Sequence, residues 1–97
     1  MSGFVLSPAA RADIEAIWRY TAGRWGTEQA ECYLRLVQTA CEALAQGRRI
    51  GRSAEDVRPG YQRAEVGSHI LFFRSTEAGV IDIIRILHQR MDIDRHL

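Results

Sequence analysis

The last thirteen residues of the chain, "RILHQRMDIDRHL" (85–97), gather Arg85, Arg90 and Arg95 with His88 and His96. Histidine exchanges protons near neutral pH. The planar arginine fork meets a carboxylate or a phosphate in two parallel hydrogen bonds. The same residues therefore suit two uses: acid–base work on a phosphodiester, or a cationic grip on another protein. The elements that carry them decide between the two.

Those elements are legible from periodicity. Phe4-Val5-Leu6 reads as a first short strand, near 3–6. Ser7-Pro8 is a helix start, because serine accepts from free N–H groups and proline has none to leave unpaired. Ala10, Ile14, Ile17, Trp18, Thr21 and Trp25 then fall on one helical stripe over 8–24. Gly23 and Gly26 interrupt it, and Thr27 is expected to cap a second helix over 28–46. Its inner stripe is Ala30, Tyr33, Leu34, Val37, Ala40, Cys41 and Leu44, and Gly47 closes it. So short a link predicts an antiparallel helical hairpin with Trp18 and Trp25 in its seam. "GRRIGRSAEDVRPG" (47–60) has no period and reads as a loop. Three strands follow, at 61–66, 69–75 and 80–88, joined by Gly67-Ser68 and Glu77-Ala78-Gly79 in a meander of hairpins. The last strand is apolar on both faces, as for one buried inside a sheet.

The expected fold is therefore α+β, in the order β-α-α-β-β-β, with the N-terminal helical hairpin packed on a small antiparallel sheet. One domain spans 1–97. The expected core is Ile14, Ile17, Trp18, Tyr33, Leu34, Val37, Cys41, Leu44, Leu71, Phe73, Ile84 and Ile86.

Composition narrows the function. Apolar content of 46% and charged content of 26% fit a globular protein. No apolar run approaches the roughly 20 residues of a membrane helix. No signal peptide is visible at the N-terminus, so a cytoplasmic location is expected. A net charge of +1 argues against general electrostatic binding to nucleic acid, and no sequence-specific DNA contact is expected of this chain. All thirteen strong bases are arginine, nine of them in 47–97. Cys32 and Cys41 lie nine apart on one helix, about 13 Å along its axis, too far for a disulfide. Two cysteines with no histidine at ligand spacing make a poor metal site, so neither metal nor cofactor is expected.

Four stretches, in order and at their spacing, carry a resemblance: "LSPAARADIEAIWRYTAGRWG" (6–26), "IGRSAEDVRPGYQR" (50–63), "VGSHILFFR" (66–74) and "IIRILHQRMDI" (83–93). Together they resemble the ParE-like toxins of ParDE toxin–antitoxin systems, in the wider RelE/ParE superfamily. The resemblance spans nearly the whole chain. It implies a toxin of the fold just described, held harmless by a ParD-like antitoxin and directed, when free, at DNA gyrase. RelE-like relatives cut messenger RNA on the ribosome instead. They combine arginine with lysine, glutamate or histidine, often with a tyrosine close to the C-terminus.

Cutting RNA through its own 2′-OH needs a base, an acid and cations for the phosphate. This sequence offers Arg74, Arg85, His88 and Arg90, with no lysine and no tyrosine after Tyr61. Strand alternation places Arg85 opposite His88. The set is incomplete, so no catalytic residue is assigned. Arg85, His88, Arg90 and Arg95 are read as a surface for the target. Arg85, in an isoleucine-rich strand, should pair with a carboxylate or reach solvent. His69 is read as a solvated strand start. Arg58 and Arg63 flank the rigid Pro59-Gly60 turn and, with Tyr61 and Phe73, are expected to meet the antitoxin. The ribonuclease and a non-toxic interaction module stand as the alternatives.

Overall fold

Serine at position 7 turns the chain from strand to helix. Strand β1 (Gly3–Leu6) ends there, and helix α1 (Pro8–Trp25) begins with proline in its first turn. The Ser7 Oγ accepts the Ala10 N–H at 3.0 Å and donates its own proton to the Ile84 carbonyl at 2.7 Å. One hydroxyl thus caps the helix and ties its start to the sheet. The computed structural model describes residues 3–91 and Leu97.

Helix α1 runs unbroken through Gly23 to Trp25. Gly26, with φ of 96°, closes it and opens α2 (Thr27–Ala45). The cap expected at Thr27 therefore falls one residue earlier, on a backbone conformation that favours glycine. Strands β2 (Arg52–Ser53), β3 (Gln62–Val66), β4 (His69–Ser75) and β5 (Val80–His88) complete the fold. The sheet order is β1-β5-β4-β3-β2. The two-residue β2 carried no strand signal in the sequence, and it lies in the stretch read as a loop.

The α+β class and the order of elements agree with the sequence reading, with one difference in strand direction. β1 runs parallel to β5, with Phe4 opposite Ile81 and Leu6 opposite Ile83, so the sheet is mixed. A parallel pair needs a long crossover, and here the helical hairpin and the whole meander supply it.

The sheet is covered on both faces. On one, Ile17, Val37, Cys41 and Leu44 of the helices meet Leu71, Phe73, Ile83 and Ile86. On the other, Ile70, Phe72 and Leu87 are covered by Ala54, Val57 and Tyr61 of the loop and by Leu97. Burial pushes the Cys41 thiol up to about 11, while Cys32 lies exposed on the outside of α2.

A β-bulge at Ile84 makes both faces of β5 work. Phe72 pairs with Arg85 and Phe73 with Ile83, so Ile84 opposes no residue of β4. The extra residue shifts the alternation by one. Ile83 and Ile86 consequently face the helices together, and Ile84, expected in the core, is only half-buried. Trp18, Ile14, Tyr33 and Leu34 are also half-buried. Trp25, expected in the hairpin seam, is the last residue of α1 and is 64% exposed.

Candidate functional site

A groove of about 910 Å³ opens between the C-terminal half of α1, the start of α2 and the ends of β4 and β5. Its floor includes Ile17, Tyr33, His69, Ile86 and His88. Its rim carries Tyr20, Trp25 and Met91, which are 66%, 64% and 46% exposed. Arg24 also lines it, with its guanidinium 5.5 Å from the Trp25 ring centre. Exposed large apolar side chains around a concavity are the surface feature that most often meets a partner.

Below Ile83, β1 has turned away into α1, and among the described residues no strand pairs with that edge of β5. Asp13 of α1 occupies that edge. Its Oδ2 accepts the Ile86 N–H at 2.9 Å and the Arg85 Nε at 2.8 Å, and its Oδ1 accepts Arg85 Nη2 at 2.8 Å. One carboxylate thus replaces the missing strand acceptor and grips the arginine fork with both oxygens. The two side chains retain only 22% and 13% of their exposure. The hydrogen bond to Asp13 holds the Arg85 pKa above its ordinary value.

Two histidines meet at the closed end of the groove. His69 and His88 are direct cross-strand partners, with ring centres 5.3 Å apart at 83°. Tyr33 reaches them from α2, its hydroxyl 2.6 Å from His69 Nδ1. The same phenol oxygen accepts the Ser68 N–H at 3.1 Å. A backbone N–H can only donate, which leaves the phenol proton for another partner. His69 Nδ1 at 2.6 Å is its nearest acceptor, the Val66 carbonyl being 3.4 Å away, and on this assignment the neutral ring carries its own proton on Nε2. At His88 the Arg90 N–H donates to Nδ1 at 3.1 Å, which again leaves the proton on Nε2. Both neutral rings therefore carry Nε2–H donors. Burial, then the neighbouring His88, lower the His69 pKa from 6.5, and Asp13 partly opposes them.

The expected site residues divide between two surfaces. Arg85 has the carboxylate partner that its burial demanded, on Asp13. His88 lies in the groove, and Arg90 is exposed where β5 ends. Arg95 and His96 lie outside the described residues. Arg63 and Tyr61 belong to the opposite side of the sheet: Arg63 pairs in register with Phe72 and forms an ion pair with Asp56 at 3.2 Å, and Tyr61 packs on the second cluster. Arg58 bonds the Val57 carbonyl at 2.8 Å and the Leu97 carbonyl. Phe73 is 2% exposed beneath the helices, because the helix-facing alternation of β4 places it against the core. Arg74 lies towards the far end of β4, 3.5 Å from Asp82. Asp13, Tyr33 and His69 of the groove were given no site role from the sequence; Tyr33 was expected in the core. His69, expected in solvent, is half-buried. Among the described residues no three His, Cys, Asp or Glu side chains converge as metal ligands, and no helix is long and apolar enough to cross a membrane.

Comparison with known proteins supplies the lineage. The family described as "ParE toxin of type II toxin-antitoxin system, parDE" matches residues 4–93. Toxin ParE1 of Mycobacterium tuberculosis is 53% identical over 96 residues, covering 99% of this chain and 98% of that protein. Toxin ParE1 of Caulobacter vibrioides is 43% identical over 98 residues, covering 100% and 99%. Among solved structures, a chain of the chromosomal ParDE system of P. aeruginosa superposes with a TM-score of 0.77 at 25% identity, covering 91% of this chain and 95% of that one. A chain of the M. tuberculosis RelBE2 toxin–antitoxin complex shares the fold, with a TM-score of 0.64 at 18% identity over 90% and 96%. By the match along nearly its whole length and the identity to these relatives, the chain belongs to the ParE toxin family of type II toxin–antitoxin systems.

Proposed function

We propose that a ParD-like antitoxin encoded with this chain neutralises it, and that the free protein binds DNA gyrase in the cytoplasm and inhibits it. The observation that carries the first half is the groove. Ile17 and Ile86 in its floor and its rim of Tyr20, Trp25 and Met91 suit the apolar face of an amphipathic helix. Along α1 it runs from Asp13 to Arg24, about 16 Å at 1.5 Å per residue, or three turns of a docked helix. A segment lying there covers His88 and Met91, beside Arg90. Neutralisation then follows from covering the end of the molecule that meets the target. Arg58, Tyr61 and Arg63 serve the antitoxin if its segment continues onto the loop-covered face of the sheet.

The second half rests on family membership and on His88 and Arg90 at the end of β5, with Arg95 beyond them. The ribonuclease reading has one observation in its favour: His69, His88 and Tyr33 converge in one groove. Expression without the antitoxin separates the readings. Gyrase inhibition gives growth arrest, DNA damage and altered supercoiling, and the purified toxin blocks supercoiling until antitoxin is added. Cleavage of ribosome-bound message with supercoiling intact establishes the ribonuclease, and absence of both leaves an interaction module. His88→Gln keeps a hydrogen-bonding group but removes proton exchange. It should leave most of the growth arrest in place if the target is gripped, and abolish it if the target is cut.

A further inference from the structure

We propose that docking in the groove is proton-coupled: the antitoxin binds the neutral His69–His88 pair, and acid loosens it. This rests on the groove reading above and adds its regulation.

The geometry that carries the proposal is the closed end of the groove. Two imidazoles stand edge to face at 5.3 Å, in register on neighbouring strands. Charging both places two cations side by side, where a docked segment would exclude the water that screens them. His69 is also tied to the hairpin turn. Its Nδ1 accepts the Tyr33 proton at 2.6 Å, and the Tyr33 oxygen accepts the Ser68 N–H at 3.1 Å. A proton on Nδ1 turns that nitrogen into a donor. The phenol must then redirect its own proton to the Val66 carbonyl or the Ser68 hydroxyl, each at the longer distance of 3.4 Å. Protonation therefore disturbs the link between α2 and the β3–β4 turn as well as charging the groove.

The surroundings set the sign. Among the described residues, Asp13 and Arg24 of α1 and Tyr33 of α2 line the groove with the pair, the Arg85 fork is held on Asp13, and the backbone N–H of Arg90 donates to His88. Among the described residues Asp13 is the one carboxylate lining the groove, and its oxygens already hold the Arg85 fork and the Ile86 N–H. Arg24, which lines the same groove, is a further cation on that surface. Burial already lowers the His69 pKa in the open groove, and covering the groove extends the same desolvation. A bound partner thus lowers proton affinity further, and by linkage protons lower the affinity for the partner.

The test uses the full-length toxin and the ParD-like protein encoded with it, titrated calorimetrically between about pH 7.5 and about pH 5.5. Each site whose pKa falls by one unit on docking weakens binding about tenfold at the acid end. We expect at least that loss for the wild type, with protons released on binding at intermediate pH in buffers of different ionisation enthalpy. In His69→Gln/His88→Gln the pH dependence should shrink to within about twofold, and His88→Gln alone, which leaves the Tyr33 bond intact, should remove part of it. Near-UV circular dichroism checks the fold of each variant. Equal wild-type affinity at both pH values overturns the proposal, as does tighter binding in acid, which would place a partner carboxylate against the pair. An unchanged pH dependence in the double variant overturns it too. Trp25→Ala separates the two levels: weaker binding at both pH values upholds the groove, whereas unchanged binding overturns the groove reading and this inference with it.

Discussion

Removing the Asp13 carboxylate should destabilise the fold more than removing an ordinary surface charge. In Asp13→Ala the Arg85 fork loses both of its 2.8 Å contacts and the Ile86 N–H loses its acceptor at 2.9 Å. Exposed ion pairs contribute about 0–1 kcal/mol, and breaking a buried pair costs about 3–5 kcal/mol. The side chains of Arg85 and Asp13 keep 22% and 13% of their exposure, which places this pair between those limits. An orphaned backbone N–H adds about 1–3 kcal/mol if water does not replace the acceptor. The edge of β5 is open enough for partial rehydration, so we expect a total loss of about 2–3 kcal/mol. At about 4–8 °C per kcal/mol for a domain of this size, Tm should fall by roughly 10–20 °C. Asp13→Asn keeps an acceptor for Ile86 and should cost about half as much. Urea melts of wild type, both variants and an Asp13→Leu/Arg85→Leu pair supply the comparison. A loss below about 1 kcal/mol in Asp13→Ala would mean that the pair behaves as a solvated surface bridge and does not finish the edge of β5.

Trp25→Ala should change stability by less than about 0.5 kcal/mol, because the ring is 64% exposed, and should weaken antitoxin binding measured by calorimetry. Gly67→Ala should cost more than Gly79→Ala in the same melt. Both positions have positive φ, 56° and 78°, but a Cβ at Gly67 meets the Tyr33 hydroxyl at 2.7 Å, while one at Gly79 meets nothing within 4 Å. The stability of the free toxin should be full above about pH 6.5 and fall as pH drops from there through the lowered folded pKa of His69, because the unfolded chain takes the proton more readily. His69→Gln should flatten that acid limb in melts at about pH 7.5 and about pH 5. A limb unchanged in the variant would assign it to another group.

The elements other than β2 were legible because each carries a local signal. Ser7-Pro8, the two helical stripes, Gly47 and the Gly67-Ser68 turn all act within a few residues of themselves. The partner of Arg85 was legible as a class, since a cation in an isoleucine-rich strand needs a carboxylate. That the carboxylate would be Asp13, seventy-two positions away, depends on β1 ending at Ser7 and exposing the edge of β5. The histidine pair was hidden for a sharper reason. Counted back from Ser75 opposite Ile81 without interruption, the register would set Leu87 opposite His69. The unpaired Ile84 moves it by one and brings His88 there. An isoleucine in the run "VIDIIRILH" carries no mark of a bulge. The same shift explains Ile84, expected in the core and found half-buried. Trp25 misled in the opposite direction: it continues the stripe of Trp18, but as the last residue of α1 it stands on the rim of the groove.

The committed fork of Arg85 and the tautomers of the two histidines weigh on the use of the closing stretch. A phosphate clamp needs a free fork, and Arg85 already holds a carboxylate with both arms. Handing it to a phosphate would leave the Asp13 charge against the partly buried floor of the groove. Arg74, bridged to Asp82, lies towards the other end of β4. Among the described residues the cation lining the groove is Arg24, packed on Trp25, and Arg90 is exposed just past the end of β5. A general base needs a nitrogen lone pair facing the substrate. At His69 the lone pair of Nδ1 is taken by Tyr33, and at His88 by the Arg90 N–H, so each neutral ring offers an N–H. To accept a proton from a 2′-OH, either ring would first have to surrender that bond and change tautomer. Two N–H donors, the Arg24 cation and an aromatic edge suit the acceptors and apolar side chains of the partner proposed above. They favour a grip over a cut for the residues that close this sequence.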